Sequence, residues 1–326
     1  MRINWIAAGV GLVISLVWIV PGYASTEASS NVQVEVKAKK THSSKHRRGE
    51  RHHRKAAAHA EAVPRELKLN SSSALVFDEQ DGKLIYSKNS DVTSSIASIT
   101  KLMTAMVVLD AQLPMDEQIT IVDQDVDTLR NSGSRLAVGT TLPRQDMLRL
   151  ALMSSENRAA AALARTYPGG TSAFVANMNN KAATLGMARS HFVDSTGLHS
   201  ENVSTAEDLV KMVQAGIGYD QIREFTTTAS HDFAMPGRRH SVEFHNTNAL
   251  VRAKQWDIGL SKTGFINEAG RCLVMQAKIA SRSVIIVLLD SWGKYTRIGD
   301  ANRIKKWVEH SKGRKVVRNA VVSRDV

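Results

Sequence analysis

The sequence is poor in cysteine. Its single cysteine, Cys272, excludes a disulfide within the chain. Cys272 begins the apolar run Cys272-Leu-Val-Met, which favours a buried structural thiol over a reactive one. Neither a disulfide framework nor a cysteine nucleophile is therefore expected.

Long apolar runs are also scarce. The run from Trp5 to Val20 has 16 uncharged, mostly apolar residues, fewer than the ~20 that a membrane span needs. Arg2 precedes it and Pro21-Gly-Tyr-Ala24 follows, a pattern typical of an export signal. We expect a signal peptide over residues 1–24. The alternative is an uncleaved anchor, because nothing charged occurs between Arg2 and Glu27.

Acidic residues are almost missing from the centre of the next segment, residues 25–65. Between Lys37 and Lys55 nine residues are Lys or Arg and one, Glu50, is acidic, so this stretch carries +8 of the formal net charge of +12. Such a composition predicts a solvated, disordered basic linker. The alternative is loose electrostatic attraction to anionic envelope surfaces, and nucleic acid is not an expected partner of an exported protein. Four histidines of this stretch lack the spacing of a metal site.

The sequence has no Gly-x-Ser-x-Gly motif, the turn that presents the nucleophile of many Ser-His-Asp hydrolases. A Ser-His-Asp catalytic triad is therefore not indicated, although the sequence contains several candidate histidines (His191, His199, His240 and His245). Asp194-Ser-Thr-Gly197 contains catalytic residue types but is more typical of a loop turn.

Ser98 and Lys101 are the strongest pair for nucleophilic chemistry. They are three residues apart in an apolar stretch of period 3.6, so a helix would place them on one face, one turn apart. A serine hydroxyl needs a base within hydrogen-bond reach, and a desolvated lysine with a lowered pKa can be that base. Ser-x-x-Lys alone fits equally well an N-cap serine followed by a surface lysine.

Two further motifs support the catalytic interpretation. Ser155-Glu-Asn157 lies 57 residues after Ser98, and Lys262-Thr-Gly264 lies 107 residues after Ser155. Ser-x-x-Lys, Ser-x-Asn and Lys-Thr-Gly in this order are the signature of serine β-lactamases and penicillin-binding proteins. The chain resembles the low-molecular-mass penicillin-binding proteins of peptidase S11 type, and most closely their D-alanyl-D-alanine endopeptidase branch (penicillin-binding protein 7 type). The resemblance runs from about Ser73 to His310, and its other motifs are Asn202-Val-Ser-Thr-Ala and Asn246-Thr-Asn.

The resemblance implies an α/β (α+β) fold, with a five-stranded antiparallel sheet flanked by helices and an all-helical subdomain. The residues agree, since short apolar strands occur near both ends of the region, around 74–86 and 260–289, with helical patterns between them. A helical pattern broken at Ser154-Ser155 predicts two helices between residues 145 and 166. We expect a catalytic domain over residues 66–312, a tail over 313–326, and no second β-rich domain.

The resemblance implies a role for each motif residue. Ser98 is expected to be the nucleophile that forms the acyl-enzyme, with Lys101 as its general base. Ser155 is expected to relay a proton to the leaving amine, with Lys262 nearby. Two neighbouring lysines would each lower the pKa of the other. No cofactor and no metal are expected.

Other residues are expected to bind substrate. Asn157 would hold substrate amide groups, and Lys262 with Thr263 of the Lys-Thr-Gly264 motif would hold the carboxylate of the leaving D-amino acid. The backbone N–H groups of Ser98 and Phe265 would form the oxyanion hole. Arg271 is interpreted as a solvent-facing strand residue, the alternative being added positive charge near the carboxylate pocket.

The implied function is a serine D,D-endopeptidase that hydrolyses D-alanyl–diaminopimelate cross-links of peptidoglycan peptide stems in the periplasm and is acylated by β-lactams. The endopeptidase is favoured over a D-alanyl-D-alanine carboxypeptidase, because the carboxypeptidase branch of the family usually has glycine at the position that Glu156 occupies here. A β-lactamase is less favoured, since no Glu followed four residues later by Asn lies between Asn157 and Lys262. A non-catalytic wall-binding protein is the alternative outside enzymes.

Overall fold

The computed structural model describes residues 66–234, 241–253 and 255–311, and the fold below is that of these residues. The predicted signal peptide (1–24), basic linker (25–65) and tail (313–326) lie outside them, as does His240. The described strands are β1 Ser71–Asp78, β2 Lys83–Lys88, β3 Ser94–Ser95, β4 Gln118–Thr120, β5 Thr141–Pro143, β6 Val203–Ser204, β7 Ser230–Phe233, β8 Val242–His245, β9 Asp257–Ile266, β10 Gly270–Ile279 and β11 Arg282–Ser291.

Eight α-helices accompany these strands within the described ranges. They are α1 Lys101–Asp110, α2 Arg144–Met153, α3 Asn157–Arg165, α4 Gly170–Thr184, α5 Ala206–Ile217, α6 Asp220–Thr227, α7 Ala249–Arg252 and α8 Thr296–His310. The predicted break between two helices at Ser154-Ser155 is confirmed, since α2 ends at Met153 and α3 begins at Asn157.

The main sheet is five-stranded and antiparallel, in the order β2-β1-β11-β10-β9. Strands from both ends of the described region meet at the centre of this sheet, where β1 pairs with β11 from Ser71↔Ser291 to Asp78↔Val284. The predicted sheet is therefore confirmed. It positions the site because β9, the edge strand, carries the Lys262-Thr-Gly motif.

Each face of the sheet is covered by a separate hydrophobic cluster. On one face, α8 buries Ala301, Ile304 and Val308 against sheet residues such as Ile286 and Leu288. These three apolar residues lie on one face of α8. On the other face the sheet packs against the helical lobe, where the apolar side chains of α1 to α6 form the larger cluster.

Helix α1 lies at the centre of the helical lobe. Eight of its ten residues are buried, including Lys101 and Thr104, so it is surrounded on all sides. A fully buried Leu or Met side chain contributes about 1.5–3 kcal/mol to the free energy of unfolding. Neighbouring helices therefore hold this helix firmly in place, and β9 packs against the turn before it.

Several short elements were not predicted from the sequence. They are α6, α7 and the two-stranded pairs β4–β5 and β7–β8, all eight residues or shorter. Local periodicity is weak over such lengths, and their pairing is long-range. Among the described residues, no helix combines the length and apolar character that crossing a bilayer requires. Cys272 is buried and free, as predicted, and burial raises the pKa of its thiol to about 11.

Candidate active site

Ser98 lies in a 3-10 turn, Ala97–Thr100, that leads directly into α1. The sequence predicts a regular helical first turn, whereas the observed turn is tighter and α1 begins only at Lys101. Ala97 just before Ser98 has φ of +47°, an unusual conformation that costs on the order of 1–3 kcal/mol for a residue with a side chain. Such strain is maintained by surrounding packing and is common where a nucleophile is presented.

Lys101 is fully buried beneath Ser98. Its Nζ lies 2.9 Å from Ser98 Oγ, 2.7 Å from Asn157 Oδ1 and 2.7 Å from the carbonyl oxygen of Thr196. Three acceptors match the three N–H donors of an ammonium group. In the neutral amine, two contacts can remain donors while the lone pair accepts the Ser98 hydroxyl proton, which is the geometry a general base requires.

Burial lowers the pKa of Lys101 from its ordinary 10.5 to about 7. The carboxylates of Asp194, Glu156 and Asp127 act in the opposite direction, since negative charge favours the ammonium form. A substantial fraction of Lys101 is therefore the neutral amine near pH 7. The lowered pKa agrees with the prediction, and its largest cause is desolvation.

Ser155 and Lys262 form a second serine–lysine pair on the opposite wall. Lys262 Nζ donates to Ser155 Oγ at 2.9 Å and to the carbonyl of Thr263 at 3.1 Å. Burial lowers the pKa of Lys262 well below its usual range, and the positive charges of Lys101 and Arg297 lower it further. The expected effect of one lysine on the other thus holds for Lys262. Ser155 has φ of +62°, so the break between α2 and α3 presents it in a strained conformation.

The side chain of Asn157 bridges two other residues of the site, Lys101 and Ser132. Its Oδ1 accepts from Lys101, and its Nδ2 donates to Ser132 Oγ at 2.8 Å. The sequence predicts a substrate-binding amide at this position. In the structure the same side chain also orients Lys101, and Ser132 is a neighbour that no sequence motif indicated.

Strand β9 forms one wall of the site and approaches the nucleophile turn closely. A Cβ at Gly264 would lie 2.8 Å from the carbonyl oxygen of Ile96 and 3.1 Å from the nitrogen of Ser98. Only glycine permits this approach, which explains the glycine of the Lys-Thr-Gly motif. The neighbouring Thr263 donates from Oγ1 to Thr247 Oγ1 at 2.7 Å.

These residues enclose an open cleft of about 460 Å³. Six of the eight predicted site residues line it, and the remaining two, Lys101 and Lys262, are buried beneath its floor. The lining residues that sequence reasoning did not identify are Arg130, Ser132, Leu198, Thr247, Ile266, Asn267 and Arg297.

Arg297 is the most consequential of these additions. It projects from the first turn of α8 and donates from Nη1 to the carbonyls of Gly264 at 3.0 Å and Cys272 at 3.1 Å. Arg271, which was predicted to be a solvent-facing strand residue, with added charge near the carboxylate pocket as the alternative, is partly exposed, and its guanidinium lies 4.4 Å from the centre of the Phe265 ring. No sequence signal points to Arg297, because it is 35 residues after Lys262 and lies in a surface helix.

The loop at Asp194-Ser-Thr-Gly197 is a turn, as predicted. Asp194 Oδ1 accepts from the N–H of Gly197 at 3.0 Å, which closes the turn. The turn also has a role that sequence reasoning missed, since it directs the carbonyl of Thr196 at Lys101. Gly197 has φ of +78°, and a Cβ there would overlap the backbone of Ala97. The turn therefore packs directly against the backbone of Ala97 and Ser98.

Comparison with known proteins identifies related sequences over most of the chain. The family profile described as D-alanyl-D-alanine carboxypeptidase, peptidase S11, matches residues 57–293. A D-alanyl-D-alanine endopeptidase of Pseudomonas aeruginosa is 49% identical over 247 residues, which cover 76% of this chain and 80% of the relative. A D-alanyl-D-alanine endopeptidase of Escherichia coli is 46% identical over 244 residues, which cover 75% and 79%.

Solved structures are similar in the same region. The DD-transpeptidase of Streptomyces K15 superposes with a TM-score of 0.69 at 28% identity, covering 74% of this chain and 97% of that one. Penicillin-binding protein D2 of Listeria monocytogenes, in its ampicillin-bound form, superposes with a TM-score of 0.64 at 29% identity, covering 74% and 98%.

Proposed function

Because the chain belongs to the peptidase S11 family of D-alanyl-D-alanine carboxypeptidases, we propose that it is a serine D,D-endopeptidase that cleaves peptidoglycan cross-links. The resemblance noted in its motifs is thereby confirmed. The observation that carries the proposed chemistry is the 2.9 Å contact between Lys101 Nζ and Ser98 Oγ at a fully buried lysine. A buried amine at that distance can take the hydroxyl proton.

In the proposed acylation step, Ser98 Oγ attacks the carbonyl carbon of the penultimate D-alanine while its proton passes to Lys101 Nζ. The oxyanion lies against the backbone N–H groups of Ser98 and Phe265, a type of stabilisation worth about 100- to 1000-fold in rate. The C–N bond then breaks, and the proton held by Lys101 passes to the leaving amine, relayed by Ser155 with Lys262 beside it, so that Lys101 is again a neutral amine. The product is an ester on Ser98 and a free amine.

In the proposed deacylation step, water attacks the ester carbonyl and gives a proton to the neutral amine of Lys101. The ester C–O bond then breaks, and Lys101 returns a proton to Ser98. Lys101 is suited to this role because its amine is already within 2.9 Å of Ser98 Oγ. A penicillin would acylate Ser98 in the same way, since its lactam carbonyl takes the place of the scissile amide.

The leaving D-amino acid carries a carboxylate that needs a cationic or donor-rich partner. Thr263 lines the cleft, and Lys262 lies beneath it. We add Arg297 to the predicted set, because its guanidinium reaches the cleft beside Gly264. Arg297 adds a guanidinium charge to the site, whereas burial lowers the pKa of Lys262 and so disfavours its charged form.

Glu156 supports the endopeptidase assignment over the carboxypeptidase alternative. Its carboxylate accepts from Ser134 Oγ at 2.7 Å and from the N–H of Arg135 at 3.4 Å, so it holds the segment after Ser132 against α3. A glycine at this position would remove both of these hydrogen bonds. The two relatives that are 49% and 46% identical both carry the endopeptidase name.

We expect the purified protein to cleave a cross-linked muropeptide dimer faster than it removes the terminal D-alanine of a monomeric pentapeptide. Both substrates present a D-configured leaving residue with a carboxylate, so the same groups can hold either one. Product formation from each substrate, measured by liquid chromatography at equal concentrations, gives the ratio of kcat/KM. Rapid release of D-alanine with the dimer intact would assign the protein to the carboxypeptidases.

We also propose that the protein acts in the periplasm, with residues 1–24 as its export signal and the basic linker adding loose attraction to anionic envelope material. The proposed attraction rests on the net charge of +8 between Lys37 and Lys55. Deletion of residues 37–55 is expected to leave turnover of soluble substrate unchanged and to weaken binding to isolated cell walls at low salt. High salt screens the electrostatic attraction, so the difference in binding should disappear there. Pelleting assays at low and high salt measure this, and unchanged binding at low salt would reduce the segment to a spacer.

A further inference from the structure

An exposed aromatic patch lies just outside the cleft. We define the patch as Phe265, Arg271, Trp292, Lys294 and Tyr295. Trp292 is 90% exposed, Tyr295 is 70% exposed and Phe265 is 50% exposed. Large aromatic side chains are normally at least partly buried, so an exposed group of them indicates a binding surface.

Strand pairing places the patch at the end of the sheet that carries the cleft. Phe265 near the end of β9 pairs with Arg271 in β10. Arg271 in turn pairs with Ser291, the last residue of β11, and Trp292 follows it directly. Phe265 itself lines the cleft, so the patch begins where the cleft ends.

The turn between β11 and α8 holds the exposed side chains in place. The carbonyl of Trp292 accepts a hydrogen bond from Thr296 Oγ1, and the carbonyl of Tyr295 accepts from the N–H of Gly299 at 2.9 Å. Gly293 between them has φ of +84°, a conformation that favours glycine. The aromatic rings therefore project from an ordered turn.

Positive charge accompanies the aromatic rings. The Arg271 guanidinium lies 4.4 Å from the centre of the Phe265 ring, and the Lys294 ammonium lies 5.5 Å from that of Tyr295. Two acidic residues lie at this end of the sheet: Asp290, which precedes Ser291, and Glu268 in the turn between β9 and β10, whose carboxylate is paired with Arg130 at 2.9 Å. The surface is therefore suited to a ligand that is anionic and also has apolar segments.

We propose that the aromatic patch binds the leaving peptide stem of a cross-linked substrate, an inference that rests on the endopeptidase function proposed above. Arg297 donates to carbonyls of both β9 and β10. It therefore lies between Ser98 and the part of the patch formed by Arg271 and Trp292. A leaving group whose carboxylate is held by Arg297 continues in that direction. Terminal D-alanine ends at its methyl group and does not reach the patch.

The leaving stem has the chemistry that this surface selects. It continues from diaminopimelate, whose alkyl chain can lie on the indole of Trp292, into a peptide with further carboxylates that Arg271 and Lys294 can attract. Trp292 is therefore a specificity-determining residue, because it adds binding for cross-links without adding any for terminal D-alanine.

Replacement of Trp292 or Tyr295 by alanine tests this inference. We expect Trp292→Ala to lower kcat/KM for a muropeptide dimer about tenfold, mainly through a higher KM, which is typical for truncation of an aromatic anchor. Release of D-alanine from a monomeric pentapeptide and acylation by penicillin should stay at the wild-type level. Trp292→Phe should recover most of the loss on the dimer.

Leu84→Ala provides a matched control. Leu84 is also an exposed apolar residue, at 47%, but it lies on β2, at the opposite edge of the sheet from β9. This variant should cleave both substrates at wild-type rates. Because Trp292 is so exposed, its removal is expected to leave the thermal unfolding midpoint nearly unchanged.

The possible results separate this inference from the function on which it rests. Equal losses on dimer and monomer, or wild-type cleavage of the dimer by both alanine variants, would overturn the role of the patch while leaving the endopeptidase function in place. A wild-type protein that releases D-alanine and leaves the dimer intact would overturn both.

Discussion

A fluorescent penicillin should attach covalently to the wild-type protein, and the Ser98→Ala variant should carry no detectable label. Ser98 is the hydroxyl that lies within 2.9 Å of the fully buried Lys101, and it lines the cleft. Without Oγ there is no atom at this position to form the ester. Removal of the nucleophile from a serine hydrolase costs on the order of a million-fold in kcat, so the loss should be complete on a gel.

Ser95→Ala is the matched control for the labelling experiment. Ser95 is three residues away and donates to the carbonyl of Ser200, outside the cleft lining. It should be labelled as strongly as the wild type. Circular dichroism and thermal unfolding of Ser98→Ala establish that it is folded. Labelling of a folded Ser98→Ala variant at the wild-type level would contradict the assignment of the nucleophile.

Lys101→Met should fold and yet be acylated about 100-fold more slowly or worse, the typical contribution of a positioned general base. Methionine is of similar length and fills the buried space, but it has no nitrogen to accept the Ser98 proton. Stopped-flow acylation by a chromogenic β-lactam measures the rate constant. Near-normal acylation by the folded variant would show that the proton goes to another group.

The pH profile distinguishes loss of the base from a general disturbance of the site. The pKa of Lys101 is lowered to about 7, so the neutral amine predominates above that pH and the protonated form below it. The rate constant for acylation of the wild type should therefore fall about tenfold per pH unit below pH 7 and level off above pH 7, because only the neutral amine of Lys101 can accept the Ser98 proton. Lys101→Met should lose this inflection. Lys181→Ala should retain it, because that lysine pairs with Asp110 at 2.9 Å on the surface and its pKa is raised.

Local sequence patterns determined much of the fold. The hairpin between β1 and β2, the break at Ser154-Ser155, the N-cap at Thr205 and the apolar face of α8 all depend on residues close in sequence. The site residues were also identified from motifs, since Ser-x-x-Lys, Ser-x-Asn and Lys-Thr-Gly each keep a short spacing. Short elements such as α6 and the β7–β8 pair escaped prediction because they depend on distant partners.

The chemical character of the site was decided only by the tertiary structure. The pKa of Lys101 is low because α1 is enclosed by other helices and β9 packs against the turn before it, and no local pattern specifies how completely a side chain loses water. Arg297 and the carbonyl of Thr196 reach the site from elements that carry no motif. The sequence by itself thus predicted the residues to which we assign the chemistry. The packing of distant segments decided their distances, their desolvation and the aromatic surface beside the cleft, because these depend on the whole fold at once.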